Sequence, residues 1–243
     1  VRFEPEQTEA RPGIVGMVVT AAGLALVLGA LARGLAAWRA TVRLVREWRR
    51  GSEPFPITAP APAFVLDHAF PVVAVVGILR PRLFLARSVV AALTPEELRA
   101  VLAHEAGHLA ARDNLKRLAL RFMPTLGWSR LAGRLEERWE AEAEARADGA
   151  AGPEAALELA SALLKTARLA PPGTRLTLPV AAFHSGHGVA ERVQGLLEAP
   201  GTEESRRWSP ARLWFPLTAL AIAAAAAVLP LVHDLSEFLI HLP

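Results

Sequence analysis

The chain has 243 residues, no Cys, and 27 basic residues against 24 acidic ones, for a net charge of +3. Without Cys, disulfides, thiolate metal sites and cysteine nucleophiles are excluded together, so any metal must be held by His and carboxylates. Apolar residues make up 52% of the chain and mean hydropathy is positive, which favours a membrane protein over an ordinary soluble domain. Nearly all the basic residues are Arg, with no aromatic-interleaved basic patch, so nothing here points to nucleic acid.

In chain order, residues 13–32 ("GIVGMVVTAAGLALVLGALA") contain no charge. A run of about 20 such residues is long enough to cross a bilayer as a helix. Residues 213–232 ("LWFPLTALAIAAAAAVLPLV") form a second such run. Arg33, Arg39, Arg43, Arg46, Arg49 and Arg50 follow the first, and Arg206, Arg207 and Arg212 precede the second. The positive-inside rule then places the intervening chain in the cytoplasm and both termini outside, as a multi-pass protein of the cell (inner) membrane. The expected organisation is an extracytoplasmic end (1–12), a span (13–32), a basic juxtamembrane linker (33–59), a folded domain (60–200), a basic linker (201–212), a span (213–232) and an extracytoplasmic tail (233–243).

The folded domain reads as α+β and mainly helical. "AFVLD" (63–67), "VVAVVGIL" (72–79) and "RLFLA" (82–86) are expected strands, separated by Pro71 and by Arg80-Pro81. Thr94-Pro95-Glu96-Glu97 is a helix start with a capping box, and the helical pattern runs on to about Arg112. Asp113 or Asn114 could cap a following helix, and a cap is the simplest reading of Asp113. Pro124 should break that helix. Further helices are expected at 130–149, 153–169 and 189–198.

The stretch "LAHEAGHLAARDN" places His104 and His108 one helical turn apart with Glu105 between them. Two imidazoles so spaced can hold a divalent cation, and His-Glu-x-x-His is the zinc peptidase spacing, with the Glu as general base. With Leu98 at zero on a helical wheel, Glu105 falls at about 340°, inside the stripe of Leu102, Leu109 and Val101. From 100 to 111 the other residues are apolar, so the helix should be buried. An unpaired carboxylate there costs several kcal/mol or becomes neutral; a metal-lined cleft would remove that difficulty. Gly107 is explicable if another helix or a substrate backbone approaches closely.

A catalytic zinc site needs a third ligand and an open position. A third His at position 114 is excluded, because Asn114 stands there. Glu136, Glu137, Glu140, Glu142 and Glu144 all qualify by type, and spacing does not choose among them. A Glu with a second carboxylate one turn on is preferred, because that partner can accept the free N–H of a ligating His. Glu144 with Asp148 is such a pair, as is the less favoured Glu140 with Glu144. His184, His187 and Arg192 are candidate oxyanion donors or structural groups, with Arg192 alternatively an ion-pair partner of a motif carboxylate. His68, His233 and His241 read as structural or surface residues.

"LTPEELRAVLAHEAGHLAARDN" followed by "EARADGAA" resembles the membrane gluzincin peptidases, especially the BlaR/MecR-type sensor-transducer peptidases and, more distantly, the HtpX-like and CaaX-prenyl-protease-like enzymes. "GILRPRLFLARSVVAAL" and "FHSGHGVAERVQGLL" extend the resemblance to about residues 60–200, with Val193 where the family pattern has Ile. The family pattern, His-Glu-x-x-His, an Asp five residues later and Glu-x-x-Ala-Asp on a separate helix, maps onto His104, Glu105, His108, Asp113, Glu144 and Asp148. The resemblance implies a zincin-like fold, one zinc ion held by His104, His108 and Glu144, and Glu105 as general base. It also implies that Asp148 supports a ligand and that the substrate is a protein or peptide. The expected function is an integral membrane zinc endopeptidase; the competing one is a catalytically silent membrane interaction or regulatory protein with a peptidase-like domain.

Overall fold

The computed structural model describes residues 14–122, 129–170 and 188–198. The chain divides into two compact units. Of the described residues, one holds 14–32 and the other 33–122, 129–170 and 188–198. The site lies in the second.

The first apolar segment is helical, but its helix does not stop with the apolar run. Helix α1 spans Ile14–Arg50, because nothing in the arginine-rich stretch breaks it: Arg, Ala and Leu are all good helix formers. Among the described residues one helix, Ala21–Arg50, is long and apolar enough to cross a membrane, and 11% of its most apolar window is buried. By length and composition alone, this is weak evidence for membrane association. The expected second span at 213–232 lies outside the described residues. Towards its C-terminal end α1 buries Trp48, which meets Phe84 edge-on at 5.4 Å.

A four-stranded sheet follows. Its strands are β1 (Ser52–Pro54), β2 (Ala63–Leu66), β3 (Val73–Val76) and β4 (Arg82–Ala86), in the order β1-β2-β4-β3. β4 pairs parallel with β2 and antiparallel with β3, with Phe84 opposite Phe64 and Ala74. Continuous burial from Leu83 to Ala86 and from Val73 to Val76 marks strands covered on both faces, which is why they lack polar alternation. Fully burying a side chain such as Phe84 or Leu83 contributes roughly 1.5–3 kcal/mol each. β3 ends earlier than its apolar run, because Gly77 turns out of the strand at φ +107°. A Cβ there would stand 2.8 Å from the Arg80 carbonyl oxygen.

The rest is helical: α2 (Arg87–Ala92), α3 (Pro95–Ala110), α4 (Asp113–Arg121), α5 (Ser129–Ala150), a 3₁₀ turn (Pro153–Ala155), α6 (Ala156–Leu169) and α7 (Val189–Glu198). The capping box opening α3 is present as expected. The Thr94 side chain accepts from Glu97 N–H at 3.2 Å, and Glu97 Oε2 accepts from Thr94 N–H at 2.8 Å. α3 is the central helix, packed against β3, α5 and α6. Gly107 is where α5 comes close: a Cβ on it would lie 2.8 Å from Ala150 Cβ and 3.1 Å from Ala147 Cα. From α6, Leu159, Ala162 and Leu163 complete the core beside Val101 and Leu98.

Two expectations at the end of α3 are corrected. The helix stops at Ala110, and the N-cap of α4 is Arg112, in the left-handed region at φ 54°, with no side-chain cap bond. Asp113 and Asn114 are therefore the first two helical residues of α4 and not its caps. Pro124 lies outside the described residues.

Candidate metal centre

α3 points His104 and His108 at α5, which returns Glu144, and turns Glu105 to β3. All four are buried, with His104 and Glu105 at 0% and 1% exposure. The Nε2 atoms of His104 and His108 are 3.1 Å apart. Glu144 reaches both, with Oε2 at 3.5 Å from His104 Nε2 and Oε1 at 3.5 Å from His108 Nε2. One ligand atom from each residue lies within 4.8 Å of the other two.

The far side of each imidazole faces a carboxylate. His104 Nδ1 is 2.9 Å from Asp148 Oδ1, and His108 Nδ1 is 2.8 Å from Asp113 Oδ2. A carboxylate there holds the proton on Nδ1 and leaves Nε2 with its lone pair. Two lone pairs 3.1 Å apart repel unless a proton or a cation lies between them. In a tetrahedral zinc site, with bonds of about 2.0–2.1 Å, ligand atoms stand roughly 3.3 Å from one another. The three side chains thus fit a single zinc ion by donor type, spacing and tautomer.

Positive charges balance the supporting carboxylates. Arg146 donates to both oxygens of Asp113 at 2.8 and 2.9 Å. Arg192 of α7 donates to Asp148 from Nε at 2.9 Å and from Nη2 at 2.6 Å, and its Nη1 is 2.9 Å from Glu144 Oε2. Burial raises the cost of charge on Asp113 and Asp148. The bonds to His108 and Arg146 at one, and to His104 and Arg192 at the other, outweigh it and hold both below the usual carboxylate range. At His108 burial also opposes the charge, but Asp113, Glu144 and Glu105 prevail and its pKa is raised. Glu105 differs, since burial dominates and pushes its carboxyl up. Its Oε2 accepts from the Val75 N–H at 3.2 Å, and its Oε1 is buried without a hydrogen-bond partner.

The structure brings together His104, Glu105, His108, Glu144 and Asp148. The rival carboxylate Glu140 is turned to Arg117 at 3.3 Å and is 39% exposed. Arg192 takes the ion-pair role, with its guanidinium against Glu144 and Asp148. His184 and His187 lie outside the described residues. Asp113, a cap by local reading and a motif position by resemblance, faces His108 at 2.8 Å. Asn114 and the backbone of Val75 were missed; no local signal marks a strand 30 residues upstream as a neighbour of Glu105.

No curated protein matches the chain. The model of peptidase family M48 matches residues 61–170, a stretch that includes β2–β4 and both helices bearing His104, Glu105, His108, Glu144 and Asp148. That match and the buried His104–His108–Glu144 group together support a metallopeptidase.

Proposed function

We propose that this protein is a membrane-anchored zinc endopeptidase that hydrolyses peptide bonds of a protein substrate at the cytoplasmic membrane face, a regulatory proteolysis of the kind its BlaR/MecR-type resemblance implies. The observation that carries the reading is the pair of Nε2 atoms 3.1 Å apart, both completed by Glu144 and each backed by its own carboxylate. An ordinary core histidine pair has no need of three carboxylates, Glu144, Asp148 and Asp113, arranged in that way.

In this reading His104, His108 and Glu144 hold the zinc ion. When bound, zinc polarises the scissile carbonyl and lowers the pKa of water. Asp148 and Asp113 keep the imidazoles in the ligating tautomer, and Arg192 and Arg146 keep those carboxylates ionised. Glu105 is the general base. Its Oε2 is held by the Val75 N–H, and its unpartnered Oε1 is the oxygen that takes the proton from water and passes it to the leaving amine.

The test is hydrolysis of labelled casein by detergent-purified, zinc-loaded protein. Glu105→Gln is expected to keep its zinc and lose at least about 10²–10⁴-fold in rate, the usual worth of a positioned general base. Cleavage that survives in Glu105→Gln would sink this mechanism, and zinc-replete wild type that does not cleave would favour the silent regulatory protein.

A further inference from the structure

α3 and α5 supply the groups of the site, but a side chain on α4 holds strand β3 beside them. Asn114, half-buried, donates from Nδ2 to two carbonyl oxygens, Val75 O at 2.9 Å and Gly77 O at 3.2 Å. Residues two apart on an extended segment turn their carbonyls the same way. Here that way is the outer edge of β3, opposite the side paired with β4. The Val75 N–H shares this outer side, and it donates to Glu105 Oε2. Val75 is thereby held at both ends of its backbone, by Asn114 at the carbonyl and by Glu105 at the amide.

The side-chain chemistry is specific. A primary amide nitrogen carries two donors, one for each carbonyl. The grip also falls where pairing with β4 gives out, since Val76 opposite Arg82 is the last register pair before Gly77 turns away at positive φ. An edge strand has unpaired outward groups, and Asn114 satisfies two of them in the way a neighbouring strand would. The residue before it, Asp113, accepts from His108 Nδ1. The first two residues of α4 thus serve the site in different directions, one through an imidazole and one through a strand.

We propose that Asn114 is a positioning residue for Glu105. It pins the outer edge of β3, so that the Val75 N–H holds one oxygen of the Glu105 carboxylate and leaves the other turned to the reacting water. The inference rests on the reading of Glu105 as general base.

Asn114→Asp separates this role from a plain helix-start role. It keeps size and shape, and a negative charge in the first turn favours a helix. It also replaces two donors by oxygens that face two carbonyl oxygens. The experiment uses the full chain in detergent, loaded with zinc. It measures amide exchange over residues 72–79, zinc content, and kcat and KM on labelled casein. Asn114→Asp is expected to speed exchange of that segment about tenfold or more and to lower kcat by about 10–100-fold, the scale of a small misplacement. KM should stay within about twofold, and zinc at the wild-type level. Asn114→Gln, with both donors on a longer arm, should recover part of kcat. Should Asn114→Asp not fold, Asn114→Ser, with one donor, makes the same comparison. Wild-type exchange and kcat in a folded variant overturn the proposal. So does a loss of kcat that tracks a loss of zinc, because Asn114 would then act through Asp113 and His108. Wild type that neither binds zinc nor cleaves refutes the peptidase reading instead. Exchange over 72–79 then decides alone, faster exchange in Asn114→Asp sustaining the hold on β3 and unchanged exchange overturning it.

Discussion

Glu97 and Glu105 sit about two turns apart on one helix, both buried, and end with opposite proton affinities. Burial raises the cost of charge on each. At Glu97 it is outweighed by Lys165 at 2.7 Å, the Ser161 hydroxyl at 2.6 Å and the Thr94 N–H, so its carboxyl is held below its ordinary value of 4.5. At Glu105 one backbone N–H and two imidazoles do not suffice. The difference lies in the partners: Glu97 ties α3 to α6 through Lys165 and Ser161, whereas Glu105 keeps an oxygen without a hydrogen-bond partner. Because Glu97 ionises more readily in the folded chain, its contribution is present at neutral pH and is lost as pH falls through its depressed folded pKa. Glu97→Gln should therefore destabilise the protein by about 1–2 kcal/mol at pH 7, with the difference in melting temperature closing as pH falls below the ordinary value of 4.5 and through the depressed folded pKa. A gap that is constant with pH would contradict the ion-pair account. At this scale the chain spells out much of its site. His104, Glu105 and His108 follow from helical spacing, and the i, i+4 logic that favoured Glu144 with Asp148 matches where those carboxylates stand. Arg192 could be named but not placed, and capping propensity, being local, does not give Asp113 its partner His108, which the left-handed turn at Arg112 brings to it.

The same distinction holds for whole elements. α3 is legible because its start is a reciprocal hydrogen-bonding motif and its faces are apolar. β4 and β3 are legible as unbroken apolar runs. β1 is not, because Ser-Glu-Pro has no strand signature and is extended through its pairing with β2. The six residues of α2 follow β4 directly, with no side-chain cap to announce them. The strand order is also absent from local sequence: β3 lies at the edge, next to α3, through contacts between residues far apart in the chain. Gly107 shows how an element-level requirement can leave a one-residue trace. A missing Cβ in a buried helix raised the expectation of a close neighbour, and α5 is that neighbour, carrying Glu144 and Asp148.

For the molecule as a whole, we propose a peptidase domain anchored to a membrane through α1, with the arginine-rich half of α1 on the cytoplasmic side. Periplasmic and cytoplasmic reporters fused to each end test this. Both termini are expected on the extracytoplasmic side, and a cytoplasmic reporter active at the C-terminus would refute it. The central claim is narrower, that the buried group on α3 and α5 exists to hold one zinc ion. It is tested most directly by the zinc content of the purified full chain, in wild type, Glu144→Ala and Glu140→Ala. Wild type and Glu140→Ala are expected to carry about one zinc per chain and Glu144→Ala to lose it, since three protein ligands are needed to fix the ion. Wild type without zinc, or zinc lost from Glu140→Ala and kept by Glu144→Ala, would contradict it.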